Sequence, residues 1–381
     1  MAGRKILQIM QATDFGGTEH VTLRQMRHLA ASGAQFRVTS PRAAGSSWPE
    51  VTGIDPAARA FACRDRGLLG KFDIGQFAAF RRHLRALEDR TEATWIAGSS
   101  VTALLGCRVR RRRTVMSHHY HHFGDRDSWP KWKLFYEGLC RHLEAVTYPT
   151  EFTRAEALRI APWLASRAVV VPNGYDLQYA GEADRLARQR TARRHLGWPA
   201  DGFVVGIGGA LIARKRYDVF LETGARVAAR VKESRFVICG SGPTEPDLKR
   251  LAHTLGIAEQ TLFTGWVADM APYYQAFDVL LFNSDKDTLP CAPMEAASHG
   301  CTVVASLRYG GLGEFLVDGR NGYLIDRHDV AWLADAVCRL AESPQTAQRL
   351  REQAAADLTE RFSMSRCTAY LRRFFELPEG A

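Results

Sequence analysis

Two carboxylates eight residues apart, Asp287 and Glu295, bracket the run Thr-Leu-Pro-Cys-Ala-Pro-Met, and Ala-Ala-Ser-His-Gly300 follows. A proline-containing loop that opens into a helix leaves backbone N–H groups free at the helix start. Such a start favours an anion, and a carboxylate beside it can grip sugar hydroxyls. The spacing predicts Glu295 in the first turn of that helix; the bland reading is a carboxylate that only stabilises its own helix. Asp285-Lys-Asp287 also has the D-x-D form of a metal-binding pair, and Ser117-His-His-Tyr-His-His122 is rich in a common metal ligand. No acidic partner lies at a telling spacing from those histidines, so neither stretch argues for a metal.

The elements that must position these residues follow a regular rhythm. Short apolar runs alternate with amphipathic stretches in two halves, which implies parallel sheets covered by helices. The first half predicts strands at 6–10, 35–39, 93–96, 113–117, 145–148 and 168–171, with a helix from about 18 to 31 closed by Gly33. The second predicts strands at 203–206, 235–239, 261–264, 279–282, 302–305 and 323–325, then helices at 330–341 and 346–375. Each half opens as strand, glycine loop, helix. Residues 1–175 are read as one domain, the polar stretch 176–200 as a connector and 201–360 as a second domain. The last stretch, 361–381, is read as a helix that crosses back to the first. Ligands of open parallel sheets bind outside the carboxyl ends of the strands, so both domains can contribute to one substrate cleft.

Composition narrows the function classes. The chain has 381 residues, 46% hydrophobic and 24% charged, with no apolar run near the roughly 18 residues of a membrane span. Eight scattered cysteines without a C-x-x-C pair fit a reducing cytoplasm. The net charge of +10 attracts anions such as nucleotide phosphates or acidic headgroups. The densest basic run, Arg108-Val-Arg-Arg-Arg-Arg113, reads first as a solvated turn before a strand. With Trp129-Pro-Lys-Trp-Lys-Leu-Phe-Tyr136 close by, the second reading is a peripheral membrane contact through 108–136. No recognition motif accompanies the charge, which argues against nucleic acid.

Several motifs in one order resemble those of family 4 retaining glycosyltransferases of the GT-B fold. Asp287 to Gly300 resembles the family's E-x7-E segment, with Asp287 and Glu295 at its two acidic positions. Gly16-Gly17-Thr18-Glu19 resembles its N-terminal glycine loop, and Val170-Val-Pro-Asn-Gly-Tyr-Asp176 its junction between halves. Cys239-Gly-Ser-Gly-Pro243, Phe263-Thr-Gly-Trp-Val267, Gly310-Gly-Leu-Gly-Glu314 and Asp318-Gly-Arg-Asn-Gly322 resemble four further signatures. The resemblance implies two Rossmann-like domains with parallel sheets facing across a cleft. It implies a nucleotide sugar, UDP-linked by expectation, as co-substrate, a hydroxyl acceptor (glycan, glycolipid or small metabolite), no metal and no cofactor.

By the same resemblance, Glu295 binds the ribose hydroxyls and Asp287 faces the donor sugar. Leu289, Pro290, Cys291 and Ala292 lie against sugar and phosphates, Trp266 and Val267 frame the base, and Gly240 and Gly242 let the backbone approach the nucleotide. Gly16 and Gly17 supply contacts from the first domain. His118, with His119 as its neighbour, reaches the donor sugar from the end of a first-domain strand.

Two departures stand out. Asp287 is shorter than the family's usual glutamate and withdraws its oxygens by about one C–C bond, where hydrogen bonds tolerate only tenths of an ångström. In Gly208-Gly-Ala-Leu-Ile-Ala-Arg-Lys-Arg216, Lys215 aligns with the family's diphosphate lysine. Ala210 stands at its arginine position and Arg216 at its glycine. Bond cleavage puts negative charge on the leaving diphosphate, and each aimed cation is worth roughly 4 kcal/mol at about 4 Å and an effective dielectric near 20, before desolvation. Arg214 or Arg216 is therefore expected to replace the missing arginine. The leading expectation is retaining, metal-independent transfer. The alternatives are a nucleotide-sugar epimerase or hydrolase of the same fold, and a nucleotide-sugar-binding protein weakened in catalysis by Asp287 and Ala210.

Overall fold

A computed structural model of the chain describes residues 4–10, 17–41, 53–56, 58–61, 74–88, 91–98, 104, 113–119 and 129–377. The chain forms two compact units, Met1–Gly174 with Met364–Ala381, and Tyr175–Ser363.

The first unit holds a seven-stranded sheet in the order β3-β2-β1-β4-β5-β6-β7. Its strands are β1 (Lys5–Met10), β2 (Gln35–Pro41), β3 (Arg59–Phe61), β4 (Ala93–Ala97), β5 (Arg113–Ser117), β6 (Ala145–Tyr148) and β7 (Ala168–Val170). Every pairing is parallel. The helix Gly17–Ala31 follows β1 and ends before Gly33, whose φ of 92° is the left-handed turn expected of a helix-closing glycine. The edge strand β3 and the helix Ile74–Glu88 add to the elements expected from the sequence.

The second unit holds a six-stranded parallel sheet in the order β10-β9-β8-β11-β12-β13. It comprises β8 (Phe203–Gly208), β9 (Ser234–Cys239), β10 (Thr261–Gly265), β11 (Val279–Ser284), β12 (Thr302–Leu307) and β13 (Tyr323–Ile325). All residues of β11 and β12 are buried, as a sheet covered on both faces requires. Strand order reverses between β8 and β11, so their carboxyl ends flank the position where doubly wound sheets bind ligands.

Charge conceals burial in the polar stretch 176–200. Its helix Glu182–His195 belongs to the second unit. Arg193 is buried, with Nη2 2.7 Å from the Asp278 carboxylate and Nε donating to the Ala276 carbonyl at 3.0 Å. Glu182 accepts from Arg351 at 2.9 Å and pairs with Arg185 at 2.8 Å. The stretch is a packed layer tied by ion pairs, and so is no solvated linker.

The expected helix 346–375 is two helices, Pro344–Phe362 and Met364–Phe374, broken at Ser363. The break is where the chain passes from the second unit to the first. Leu371, Phe374, Phe375 and Leu377 are then buried with Ile6, Met10, Leu23, Met26 and Trp95. Full burial of side chains this size contributes about 1.5–3 kcal/mol each.

Candidate active site

The carboxyl ends of β8 and β11 carry the residues with the most chemistry. Past β8 the chain makes an exposed turn at Gly209-Ala210, then a single 3-10 turn, Ala213–Lys215. That turn is closed by Arg216 in the left-handed region, φ 46° and ψ 50°. An L-residue there costs roughly 1–2 kcal/mol that glycine avoids. Arg216 offsets this through its guanidinium, which meets Asp218 at 2.7–3.1 Å and Asp285 at 3.6 Å. Its partners therefore fold the turn.

The turn is stitched to β11. The Asp285 N–H donates to the Arg214 carbonyl at 2.9 Å, and Ser284 Oγ donates to the Lys286 carbonyl at 3.1 Å. This brings Lys215 and Arg214 to one carboxylate. Lys215 Nζ forms an ion pair with Asp287 and lies 4.9 Å from the Phe282 ring centroid. Arg214 Nη1 stands 3.5 Å from the same carboxylate and also donates to the Lys286 carbonyl. The Asp287 side chain is 14% exposed. Asp287 thus occupies the two cations that its sequence position had set against a ligand.

Asp285, the other half of the D-x-D, faces His328 Nε2 at 3.2 Å and two cations, Arg216 at 3.6 Å and Arg308 at 3.7 Å. Burial pushes the His328 pKa down, against the pull of Asp285. Among the described residues no group of three or more His, Cys, Asp or Glu could hold a metal.

The loop before the helix Cys291–Ser298 is held by backbone pairing. The Asp287 N–H donates to the Tyr309 carbonyl at 3.0 Å, and the Gly311 N–H to the Thr288 carbonyl at 2.8 Å. A Cβ on Gly310 would lie 1.8 Å from the Asp287 carbonyl oxygen, so this approach requires glycine. Pro290 caps the helix with extended geometry and no side-chain hydrogen bond. Leu289 and Pro290 are buried, Cys291 and Ala292 half-buried.

Glu295 lies one turn further in than expected, because the helix begins at Cys291 and its first turn has no acidic residue. The half-buried Glu295 therefore does little for the helix start, where dipole effects fall off within a turn. Its Oε2 accepts a 3.2 Å hydrogen bond from the hydroxyl of Tyr274, which is 4% exposed. Sequence reasoning missed Tyr274: in Ala271-Pro-Tyr-Tyr-Gln-Ala276 an aromatic next to apolar neighbours reads as core.

Gly240 and Gly242 serve the site through the backbone. A Cβ would meet the Gly209 carbonyl oxygen at 2.0 Å in the first case and the Leu211 carbonyl oxygen at 2.4 Å in the second. They let the loop after β9 pack against the loop after β8, where the Leu211 N–H donates to the Ser241 carbonyl at 3.0 Å. Trp266, just beyond β10, is 72% exposed, and Val267 is half-buried.

In the first unit, Gly17 is the exposed first residue of its helix, and Gly16 lies outside the described residues. His118 departs from expectation. It follows β5 directly, and side-chain alternation puts it on the Met116 face, away from Ser117, which bonds to Trp95. There it is 0% exposed, with ring centroids 5.3 Å from Trp132, 5.5 Å from Tyr148 and 6.0 Å from Tyr136. His119 is half-buried, and burial pushes its pKa down to about 4.

The basic-aromatic stretch divides in the same way. Trp132, Phe135 and Tyr136 are core residues, while Lys131, Lys133 and Leu134 are exposed, Leu134 at 72%. Arg113 pairs with Glu144 at 3.0 Å and Glu376 at 2.8 Å; residues 108–112 lie outside the described residues. The described cysteines are all free, and no described helix is long and apolar enough to cross a membrane.

The chain thus holds two parallel α/β units, and the second places a basic turn beside a helix start at its switch point. Residues 15–179 match Glycosyltransferase Family 4 and residues 202–343 match Glycosyl transferases group 1. The chain is 32% identical over 278 residues to a GDP-mannose-dependent alpha-(1-6)-phosphatidylinositol monomannoside mannosyltransferase of Mycolicibacterium smegmatis, covering 68% of this chain and 70% of that one. It is 27% identical to a D-inositol 3-phosphate glycosyltransferase of Mycolicibacterium paratuberculosis, over 93% of this chain and 84% of that one. Among solved structures, Anabaena HepE with UDP-glucose aligns with a TM-score of 0.81 at 18% identity, covering 98% and 99% of the two chains. The chain belongs to the group 1, family 4 glycosyltransferases.

Proposed function

We propose that the protein moves a hexosyl group from a nucleoside-diphosphate sugar to a hydroxyl acceptor, with retention of configuration and without a metal ion. The observation that carries the reading is the meeting of Lys215 and Arg214 on Asp287 beside an uncapped helix start. Two cations on a single carboxylate form a ready anion site, and a diphosphate satisfies it as well as Asp287 does. Arg214 takes the place of the family arginine, since Arg216 is committed to Asp218 and Asp285.

In the proposed reaction the bond from the sugar C1 to the diphosphate oxygen breaks as Lys215 and Arg214 neutralise the leaving group. The acceptor oxygen bonds to C1 on the same face, and its proton passes to a leaving phosphate oxygen. No separate protein base is needed. Glu295 holds the ribose hydroxyls, and Leu289 to Ala292 lie along the sugar and phosphates. The exposed face of Trp266 and the Val267 backbone frame the base. Asp287, released from its cations, faces the sugar.

GDP-mannose supplants the uridine expectation as donor, because the relative that names it is 32% identical while the UDP-bound neighbour is 18% identical. Inositol-bearing acceptors follow from the names of the same relatives. A lipid-borne acceptor gains support from exposed Lys131, Lys133 and Leu134. The location proposed is the cytoplasm, at the inner membrane face if the acceptor is a lipid.

The test is nucleotide release from GDP-mannose and UDP-glucose, with inositol phosphates or phosphatidylinositol liposomes as acceptors, with and without EDTA. Acceptor-dependent release that survives EDTA, with an α-linked product by NMR, is expected. Release without acceptor would make the protein a hydrolase, and an altered sugar on an intact nucleotide would make it an epimerase. Donor binding by calorimetry with no transfer would make it a binding protein, and EDTA abolition rescued by Mn²⁺ would end the metal-independent mechanism.

A further inference from the structure

The helix Ala271–Ala276 carries a hydroxyl that packing alone does not need. Tyr274 is 4% exposed, and phenylalanine would fill the same space. Its ring lies 6.1 Å from that of His299 at an interplanar angle of 26°. Its hydroxyl reaches Glu295 Oε2 at 3.2 Å. Glu295 and His299 are one helical turn apart on Cys291–Ser298 and its cap, so Tyr274 spans both from a neighbouring helix.

A carboxylate can bind the two adjacent hydroxyls of a ribose only if its plane is set so that both oxygens meet the diol. A glutamate side chain turns about three bonds, and fixing it at the moment of binding costs side-chain entropy. A buried donor already bonded to one oxygen removes part of that freedom before the nucleotide arrives. Burial also drives the Tyr274 pKa well above the usual phenol value, so the hydroxyl remains a donor at every working pH.

We propose that Tyr274 is a positioning residue for nucleotide recognition, fixing the Glu295 carboxylate for its contact with the ribose diol. It touches neither sugar nor phosphate and acts through Glu295. The inference rests on the reading above that Glu295 meets the ribose. It goes further by assigning ribose discrimination to a side chain outside every recognised motif.

The experiment compares binding of GDP and 2′-deoxy-GDP by calorimetry to wild type, Tyr274→Phe, Glu295→Gln and the double variant, with donor kcat and KM for each. Wild type is expected to prefer the ribonucleotide. Tyr274→Phe should weaken GDP binding by about 3–15-fold, the scale of one hydrogen bond to a charged group. It should leave deoxy binding within about twofold, so that the preference falls, and KM should rise more than kcat falls. In the Glu295→Gln background, whose amide oxygen is a weaker acceptor than the carboxylate, Tyr274→Phe should cost less than in wild type, because its effect runs through that side chain.

Equal weakening of GDP and 2′-deoxy-GDP, or full additivity in the double variant, would show a merely structural tyrosine and overturn the proposal. A wild-type protein that binds GDP with no ribose preference would instead remove Glu295 from the ribose, and the underlying reading of the site with it. If Tyr274→Phe does not fold, Tyr274 replaced by 3-fluorotyrosine keeps the ring and changes only donor strength. A preference unmoved by that replacement overturns the inference equally.

Discussion

The Asp287 carboxylate lies where a donor diphosphate must compete with it, and Asp287→Asn tests that competition directly. Its side chain is 14% exposed, as against 18% for Lys215 and 32% for Arg214, so solvent screens these pairs only in part. At about 4 Å and an effective dielectric near 20, a carboxylate and one cation attract by roughly 4 kcal/mol before desolvation. Rehydration of the displaced carboxylate returns much of this, and a surviving difference of about 0.7–1.4 kcal/mol is a factor of 3–10 in affinity. Asparagine keeps the size and removes the charge. Free GDP should therefore bind Asp287→Asn about 3–10-fold more tightly by calorimetry, and the gain should shrink between 50 mM and 500 mM salt. Transfer should move the other way, with kcat/KM falling at least about tenfold as the sugar loses an ionised partner. A GDP affinity that weakens or stays within twofold would refute the competition. It would mean that Asp287 organises Lys215 and Arg214 rather than occupying them.

Other substitutions separate the roles of the neighbours. Lys215→Ala should lower kcat/KM by roughly 10²–10³ in the nucleotide-release assay, and an effect below about threefold would remove Lys215 from the site. Arg216→Gly should keep kcat/KM within about threefold, because glycine adopts the 46° φ without strain, while Arg216→Ala, which keeps the strained φ and loses only half-exposed ion pairs, should lose under about 1 kcal/mol of stability in urea unfolding. Phe375→Ala should cost about 3–5 kcal/mol, read as a lower urea midpoint, by emptying the core that the C-terminal helix fills. His119 ties stability to pH. Its folded pKa of about 4 lies below the unfolded value near 6.5, so the unfolded chain binds the extra proton. The stability it permits is complete above pH 6.5 and is lost as pH falls toward 4. His119→Gln should flatten part of the drop in urea midpoint between pH 7 and pH 4.5.

Period and punctuation made most of the fold legible in advance. Strands such as Val279–Ser284 and Thr302–Leu307 carry consecutive apolar residues, Val279 to Phe282 and Val303 to Ala305, which a sheet covered on both faces accommodates. Asp287 and Glu295 stand out through the resemblance their segment carries, while spacing alone places Glu295 one turn too early in its helix. The polar stretch 176–200 was misread because its charge is paired inside, Arg193 with Asp278 and Glu182 with Arg351, and sequence does not show partners some 85 or 169 residues away. His118 was misread because one residue of strand alternation decides between open space and an aromatic core.

Residue period and motif order make the class of fold legible, and the family resemblance they carry points to Asp287, Glu295 and Lys215. Only the tertiary structure decided their electrostatic partners. Residues 214–216 offer three neighbouring cations of equal standing. Folding turns Arg216 back onto Asp218 and Asp285 through a left-handed turn, and sends Lys215 and Arg214 to Asp287. The physical reason is that local spacing sets backbone geometry, while the Coulomb energy of a side chain depends on distances that only the closed fold supplies.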